Sequence, residues 1–415
     1  MRFINPKQTF DGEFAFHGDK SITHRAIMLN GIARGVATIK NPSLGEDCLA
    51  TCRAMEKLGA KIERIEGGLK ITGADKLNDG QELDCGNSAT ALRLLAGLLA
   101  GQGVDATLYG DSFLSKRPME RVAEPLRSLG ATITTTDGKS PVRIKKSKII
   151  GGEIKLKIPS AQVKSAILLA GLGSEREVSV IEEKITRDHT ERMFKAMGAD
   201  IIRDGKKITV KKSKLTATDV EVPADISSAS YFMALGALKG RTLCKNVCVN
   251  PTRTGIFKAF EKLGIKYSIL NEKVVCGEEV ADVLVEKSTL SPLRIQADEV
   301  PLMIDELPLI CLLCAFANGE SHISGAEELK YKECNRIIAT AELINSLGGV
   351  CIPTTDGFVI DGRGGLEGGA IESFGDHRIA MTGAVGLLAS KRGGELYGDK
   401  CCSVSFPDFF EKLGV

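Results

Sequence analysis

Six segments spaced 66 to 84 residues apart end on the same stop, and nothing else in this chain limits its fold as strongly. MEKLGA places the stop at Gly59, LRSLGA at Gly130, FKAMGA at Gly198, FEKLGI at Gly264, INSLGG at Gly348 and FEKLGV at Gly414. Each reads as an amphipathic helix ended by glycine, the residue that enters a left-handed cap with least strain. An alternating, turn-broken segment follows the first five stops, such as AKIERIEGGLKITG from Ala60, and predicts a β-hairpin. No residues follow the sixth, so residues 1–17 are expected to complete that unit, with RFINPK and EFAFHG as its strands.

A second, more apolar helix recurs in phase with the first. Its copies are ITHRAIMLNGIA, SATALRLLAGLLA, AQVKSAILLAGL, SSASYFMALGAL, LPLICLLCAFA and HRIAMTGAVGLLA. Apolar nearly all round, these predict six buried helices. Each unit of about 70 residues is then βαβαββ in outline, and the chain is α/β. Six units divide into two domains of three, with crossings near Gly18 and Asp225. The expected domains are residues 18–224, and 1–17 with 225–415.

With 43% hydrophobic and 26% charged residues, the 415-residue chain has the composition of a folded globular protein rather than a disordered one. Lys and Arg number 55 against 53 Asp and Glu, so no global field draws it to nucleic acid or to an anionic membrane. The most apolar stretch, 307–317, is about half the ~20 residues of a membrane span, and the first residues carry no export signal; a cytoplasmic protein is expected. Cys311 and Cys314 form a CxxC among apolar neighbours, which predicts buried thiols. With five His and no second CxxC, no zinc site is expected. His17, His189 and His322 read as structural, and KKITVKKSK from Lys206 as a solvated strand face.

A polar cluster precedes each buried helix: GDKS, DCGN, IPSAQ, PADISS, MIDE and SFGDHR. Ser, Asn and Asp there suit N-caps, but Lys20, Arg25 and Arg378 do not, because a cation at a helix N-terminus opposes the macrodipole. An anion held between such cations and the backbone N–H groups removes the conflict. Arg117, Arg187, Arg253 and Arg336 stand at or near the starts of the amphipathic helices, with the same bias. Lys332 and Arg336 are four apart, which on a helix puts both on one face, with Glu333 three before Arg336. The pattern points to a cleft that clamps phosphates or carboxylates.

Nine motifs in order carry a resemblance that spans the whole chain: GDKSITHR (18–25), CGNSATALRL (85–94), GDSFLSKRPM (110–119), PSAQVKSA (159–166), TRDHTERM (186–193), ADISSASYF (224–232), MIDELP (303–308), YKECNR (331–336) and GDHRIAM (375–381). The chain resembles the 5-enolpyruvylshikimate-3-phosphate (EPSP) synthases of the enolpyruvyl transferase family, and is most similar to their glyphosate-tolerant second class. The resemblance implies a two-domain inside-out α/β barrel of six βαβαββ repeats, three per domain. It implies transfer of the enolpyruvyl group of phosphoenolpyruvate to the 5-hydroxyl of shikimate 3-phosphate, by addition and elimination in a shikimate pathway leading to chorismate and aromatic amino acids. No metal or organic cofactor is implied, and a monomer is expected.

Carried over motif by motif, Lys20, Ser21, Arg25, Ser160, Ala161, Gln162, Arg187, Asp305 and Lys332 would bind shikimate 3-phosphate. Lys20, Asn87, Ala89, Thr90, Arg117, Gln162, Arg336 and Arg378 would bind phosphoenolpyruvate. Lys20, Asp305 and Glu333 would be catalytic, with the order of their proton transfers left open. Closure of the two domains would gather Lys20, Arg117, Glu333 and Arg378.

Three departures from the family pattern stand out. Ala89 replaces the glycine of the Asn-Ala-Gly-Thr loop and puts a methyl group against the phosphoenolpyruvate pocket, which predicts natural glyphosate tolerance. Val404 stands where other members carry a lysine, and SAQ replaces SSQ at 160–162. Two rival readings remain. An enolpyruvyl transferase acting on UDP-N-acetylglucosamine would need a cysteine in the loop before Arg117-Pro118, where 110–118 has none. A non-catalytic, repeat-built anion-binding protein would leave Lys20, Asp305 and Glu333 at helix starts without a role.

Overall fold

The computed structural model describes residues 1–415 and divides them into two compact units. The first unit comprises residues 18–222 with 275–278; the second comprises 1–17, 223–274 and 279–415. No helix is long and apolar enough to cross a membrane.

All six predicted glycine stops have positive φ, from 69° at Gly414 to 107° at Gly130. They end the helices Glu46–Lys57, Glu120–Ser128, His189–Ala196, Gly255–Leu263, Arg336–Ser346 and Phe409–Leu413. The six apolar helices also form, over Lys20–Ile32, Ala89–Gln102, Ala161–Gly171, Ile226–Lys239, Leu307–Phe316 and His377–Ala389, and nearly every residue in them is buried. Two of these pack so closely that side chains are excluded. A Cβ on Gly97 would lie 2.0 Å from the carbonyl oxygen of Ala166, and one on Gly101 2.7 Å from that of Ala170. Each fully buried Leu or Ile on such faces contributes about 1.5–3 kcal/mol.

The secondary structure builds a mixed α/β protein on six sheets, three in each unit. Gln81–Asp84 and Ala106–Tyr109 run parallel on either side of a buried helix, and the hairpin Thr132–Thr136/Lys139–Lys145 adds antiparallel to the second of them. The same order recurs with Gly152–Lys155 and Val178–Ile181, and with Arg294–Ile295 and Asn318–Ile323.

The N-terminal expectation needs correcting. Arg2–Ile4 does complete the sixth sheet, pairing antiparallel with Gly394–Tyr397. Gly12–Phe14, which overlaps the start of EFAFHG, instead pairs in parallel with Thr242–Cys244 of the fourth sheet. Val220–Glu221 likewise pairs in parallel with Ile39–Lys40 of the first sheet. The reason is topological. A buried helix needs a parallel strand beside the strand that follows it, but the chain crosses units just before the Lys20 and Ile226 helices. The strand preceding each crossing stays behind and serves the sheet of the unit it belongs to.

Candidate active site

The predicted cations of the first unit start from the Lys20 helix. Asp19 caps it by accepting the Ile22 N–H at 2.9 Å. Lys20, its first residue, pairs through Nζ with Asp47 Oδ2 at 2.8 Å. Asp47 lies in the first turn of the next helix, where a carboxylate suits the dipole.

Arg25 is buried, and every acceptor it finds is neutral. Nε donates to Thr190 Oγ1 at 2.6 Å, Nη2 to Ser165 Oγ at 2.7 Å and Nη1 to the Ser21 carbonyl at 2.8 Å. Burial draws its pKa down to about 10, and the nearby charge of Arg187 pushes the same way against Glu191 and Asp19. Two arginines close enough to repel, one of them without a carboxylate in contact, form a place for an anion.

Ser88 caps the Ala89 helix, Ala91 N–H to Oγ, at 3.2 Å. Ala89 is its first, buried residue. Thr90 Oγ1 accepts from Gln162 Nε2 at 2.9 Å, while Gln162 Oε1 accepts from Arg93 Nη1 at 2.6 Å. Asn87 donates to Asp111 at 2.9 Å. Ser160 caps the Ala161 helix, Arg117 is buried just after a short turn, and Arg187 is half-buried two residues before the His189 helix.

In the second unit Arg336 is the hub. It is 2% exposed and grips Asp376 with Nε at 2.7 Å and Nη2 at 3.2 Å. Nη2 also meets Glu333 at 2.5 Å, and Asp305 lies 3.5 Å from Nη1 and 3.0 Å from Lys332 Nζ. Burial alone would lower the Arg336 pKa, but Asp376, Glu333 and Asp305 hold it well above the usual value. Arg378 is buried beside Tyr231. Burial opposes its charge too, but Tyr231, Asp305 and Glu306 raise its pKa, and Tyr231 is itself pushed up to about 12, chiefly by burial. Arg378 Nε, a buried donor, has no hydrogen-bond partner, and Arg336 Nη1 has only the 3.5 Å ion pair with Asp305. A charged donor such as Arg378 Nε calls for an acceptor.

One predicted arrangement does not hold. Lys332 and Glu333 precede the helix that begins at Arg336, so Lys332 and Arg336 do not share a helical face. Asn335 is the cap, and the loop lets Lys332 reach Asp305. At the fifth buried helix, Glu306 occupies the cap position without a side-chain cap bond. The twelve cysteines are all free, and Cys311 and Cys314 are buried. His189 faces Glu278 at 2.8 Å, His17 faces Asp408 at 3.2 Å and His322 faces Glu320 at 2.6 Å.

The profile of EPSP synthase (3-phosphoshikimate 1-carboxyvinyltransferase) matches residues 4–413. The chain belongs to the EPSP synthase family. A 3-phosphoshikimate 1-carboxyvinyltransferase of Methylococcus capsulatus is 43% identical over 98% of this chain and 95% of its own length. One from Oceanobacillus iheyensis is 41% identical over 97% and 96%. Among solved structures, the EPSP synthase of Acinetobacter baumannii superposes with a TM-score of 0.88 at 41% identity, covering 99% of this chain and 97% of that one. The enolpyruvyl transferase NikO from Streptomyces tendae, 17% identical, shares the fold with a TM-score of 0.81 over 99% of this chain and 96% of its own.

Several site residues escaped the sequence reading. Arg93, Lys164 and Tyr231 lie inside the apolar helices, and Asp376 was read only as a cap. The signal for Arg93 and Lys164 was present: a charge within a helix that is apolar all round has to be buried.

His24, one turn along from Lys20, is fully buried. Its Nδ1 meets Thr51 Oγ1 at 2.7 Å, and burial, with Lys20 and Arg25 nearby, drives its pKa well below 6.5. The unfolded chain therefore binds this proton more readily than the folded one, and stability falls as pH drops below about 6.5. Urea unfolding should lose about 1 kcal/mol from this residue between pH 6.5 and 5.5, and His24→Gln should remove that part of the slope.

Proposed function

We propose that this chain transfers the enolpyruvyl group from phosphoenolpyruvate to the 5-hydroxyl of shikimate 3-phosphate and releases phosphate. The observation that carries this reading is the second unit's cluster, in which the buried Arg336 and Arg378, the latter with an unpartnered Nε, stand beside the carboxylates Asp305 and Glu333. Binding of anions and transfer of protons are both provided for there. Arg336, Arg378 and Arg117, with Lys20, Asn87, Thr90 and Gln162, would hold phosphoenolpyruvate. Arg25, Arg187, Ser21, Ser160, Ala161 and Gln162, with Lys20, Asp305 and Lys332, would hold shikimate 3-phosphate.

In the addition step Asp305, assisted by Lys20, takes the 5-hydroxyl proton while Glu333 delivers one to C3 of phosphoenolpyruvate. The oxygen then bonds to the cationic C2, giving a tetrahedral phosphate ketal. Glu333, left as a carboxylate by the addition, then takes back a proton from the new methyl group as the double bond re-forms and the C–O bond to phosphate breaks, the phosphate charge being stabilised by Lys20 and the arginines. The six sheets support reading each unit as three βαβαββ repeats of an inside-out α/β barrel, divided at 17/18 and 224/225. We read the enzyme as a cytoplasmic monomer of the second class.

Phosphate release from phosphoenolpyruvate should require shikimate 3-phosphate and fail with UDP-N-acetylglucosamine; activity with the latter alone would overturn the assignment. Ala89 bears on inhibition, because its methyl is buried at the start of the helix that carries Thr90. Ala89→Gly should sensitise the enzyme to glyphosate by about tenfold or more, read as the inhibition constant against phosphoenolpyruvate. An unchanged constant would remove Ala89 as the source of tolerance.

A further inference from the structure

Lys164 has no solvent exposure, yet carries a charge in the middle of the apolar Ala161–Gly171 helix. Its Nζ lies 2.8 Å from Glu191 Oε1, 3.1 Å from Glu182 Oε2 and 3.2 Å from the Thr186 carbonyl oxygen. Arg203 Nη2 spans the same two carboxylates, at 3.2 Å from Glu182 and 2.8 Å from Glu191. Two buried acids thus face two cations, which makes the set locally neutral. Burying three charges beside a partly exposed fourth gains little stability over apolar packing, so a structural explanation of Lys164 alone is weak.

What the network holds is more telling. Glu182 Oε1 accepts both the Thr186 N–H, at 3.1 Å, and the Thr186 hydroxyl. The carbonyl that Lys164 binds belongs to the peptide linking Thr186 to Arg187, so the residue before Arg187 is held at its N–H, its hydroxyl and its carbonyl. The neighbouring pair repeats the connection: Ser165 and Thr190, each adjacent to a member of the Lys164–Glu191 bridge, hydrogen bond at 2.7 Å, and both accept from Arg25. One buried lattice therefore fixes the approach of the Ala161 helix to the His189 helix, and with it Arg25 and Arg187.

Given shikimate 3-phosphate as the acceptor, we propose that Lys164 is a positioning residue for its phosphate subsite. It sets the Arg187 peptide and its spacing from Arg25, while Gln162 stays held by Thr90 and Arg93 of the Ala89 helix. Without its ammonium, Glu182 and Glu191 would repel across the lattice, and the subsite would widen while the phosphoenolpyruvate contacts of the second unit stayed intact.

The test uses the full-length enzyme with both substrates. Lys164→Met, close in volume but uncharged, should raise KM for shikimate 3-phosphate about tenfold or more and leave KM for phosphoenolpyruvate within about twofold. Lys164→Arg should restore most of the loss. A folded Lys164→Met enzyme with an unchanged KM for shikimate 3-phosphate, or with both constants raised together, would overturn the proposal. If that variant does not fold, Arg203→Gln removes the outer cation from the same carboxylates. It should raise KM for shikimate 3-phosphate alone, by about threefold, and no change would overturn the proposal equally. Wild-type enzyme inactive with shikimate 3-phosphate would instead count against the acceptor assignment.

Discussion

Arg336→Leu is expected to lower kcat/KM by at least about 10²–10³-fold, the scale for losing one preorganised charge-stabilising group, and to destabilise the fold by about 3–5 kcal/mol. Both effects come from one contact. Asp376 has no solvent exposure and caps the His377 helix by accepting the Arg378 N–H at 2.8 Å, so removing its bidentate partner leaves a buried carboxylate uncompensated. The double variant Arg336→Leu/Asp376→Asn should recover much of the stability, since asparagine caps as well as aspartate, but none of the activity. Urea unfolding and steady-state turnover separate the two. Arg336→Lys should stay impaired because a point charge cannot replace the fork that grips Asp376 with two nitrogens. Equal stability of the wild-type and Arg336→Leu proteins would show that the pair carries no structural weight.

Arg25→Met should cost less stability than Arg336→Leu while also failing as a catalyst. Arg25 has only neutral acceptors, and its pKa is lowered from the usual arginine value to about 10, first by burial. At ~1.4 kcal/mol per unit, holding that charge inside costs on the order of 3 kcal/mol at neutral pH. Because the folded state holds the proton less tightly than the unfolded one, the cost is present at all pH values below about 10 and declines only above it. Ser165 and Thr190 keep their mutual hydrogen bond when the guanidinium is removed, but three hydrogen bonds from a charged donor are lost, each worth about 1.5–3 kcal/mol, which outweighs the burial cost. Arg25→Met should therefore unfold at slightly lower urea, by about 1–2 kcal/mol, and KM for shikimate 3-phosphate should rise about 10- to 100-fold with the loss of a charged hydrogen-bond donor. A loss of stability as large as that of Arg336→Leu would mean that the arginine serves the fold rather than a ligand.

These two arginines mark the boundary between what could be read from the chain and what could not. Spacing alone placed both beside helix starts, and the dipole argument marked both as unsuited to a plain structural role. Nothing in the spacing distinguished an arginine held by three carboxylates from one held by hydroxyls, since Asp305 and Asp376 lie 31 and 40 residues from Arg336 along the chain. Likewise Lys332 was placed on the Arg336 face because four-residue spacing implies it on a helix. The helix begins at Arg336, and the turn before it sends Lys332 to Asp305.

By itself the sequence determined the six glycine stops, the six buried helices and the five hairpins, because each depends on residues within a dozen positions: a left-handed cap, an apolar periodicity, a turn. The nine motifs determined the family. Only the tertiary structure decided that Gly12–Phe14 and Val220–Glu221 close the sheets of the units they precede a departure from, and that Lys164 binds the carbonyl of Thr186, just before Arg187. Strand partnership and charge pairing are set by which segments pack together once the chain collapses, and the cost of burying an unpaired group selects among pairings that local sequence leaves equal.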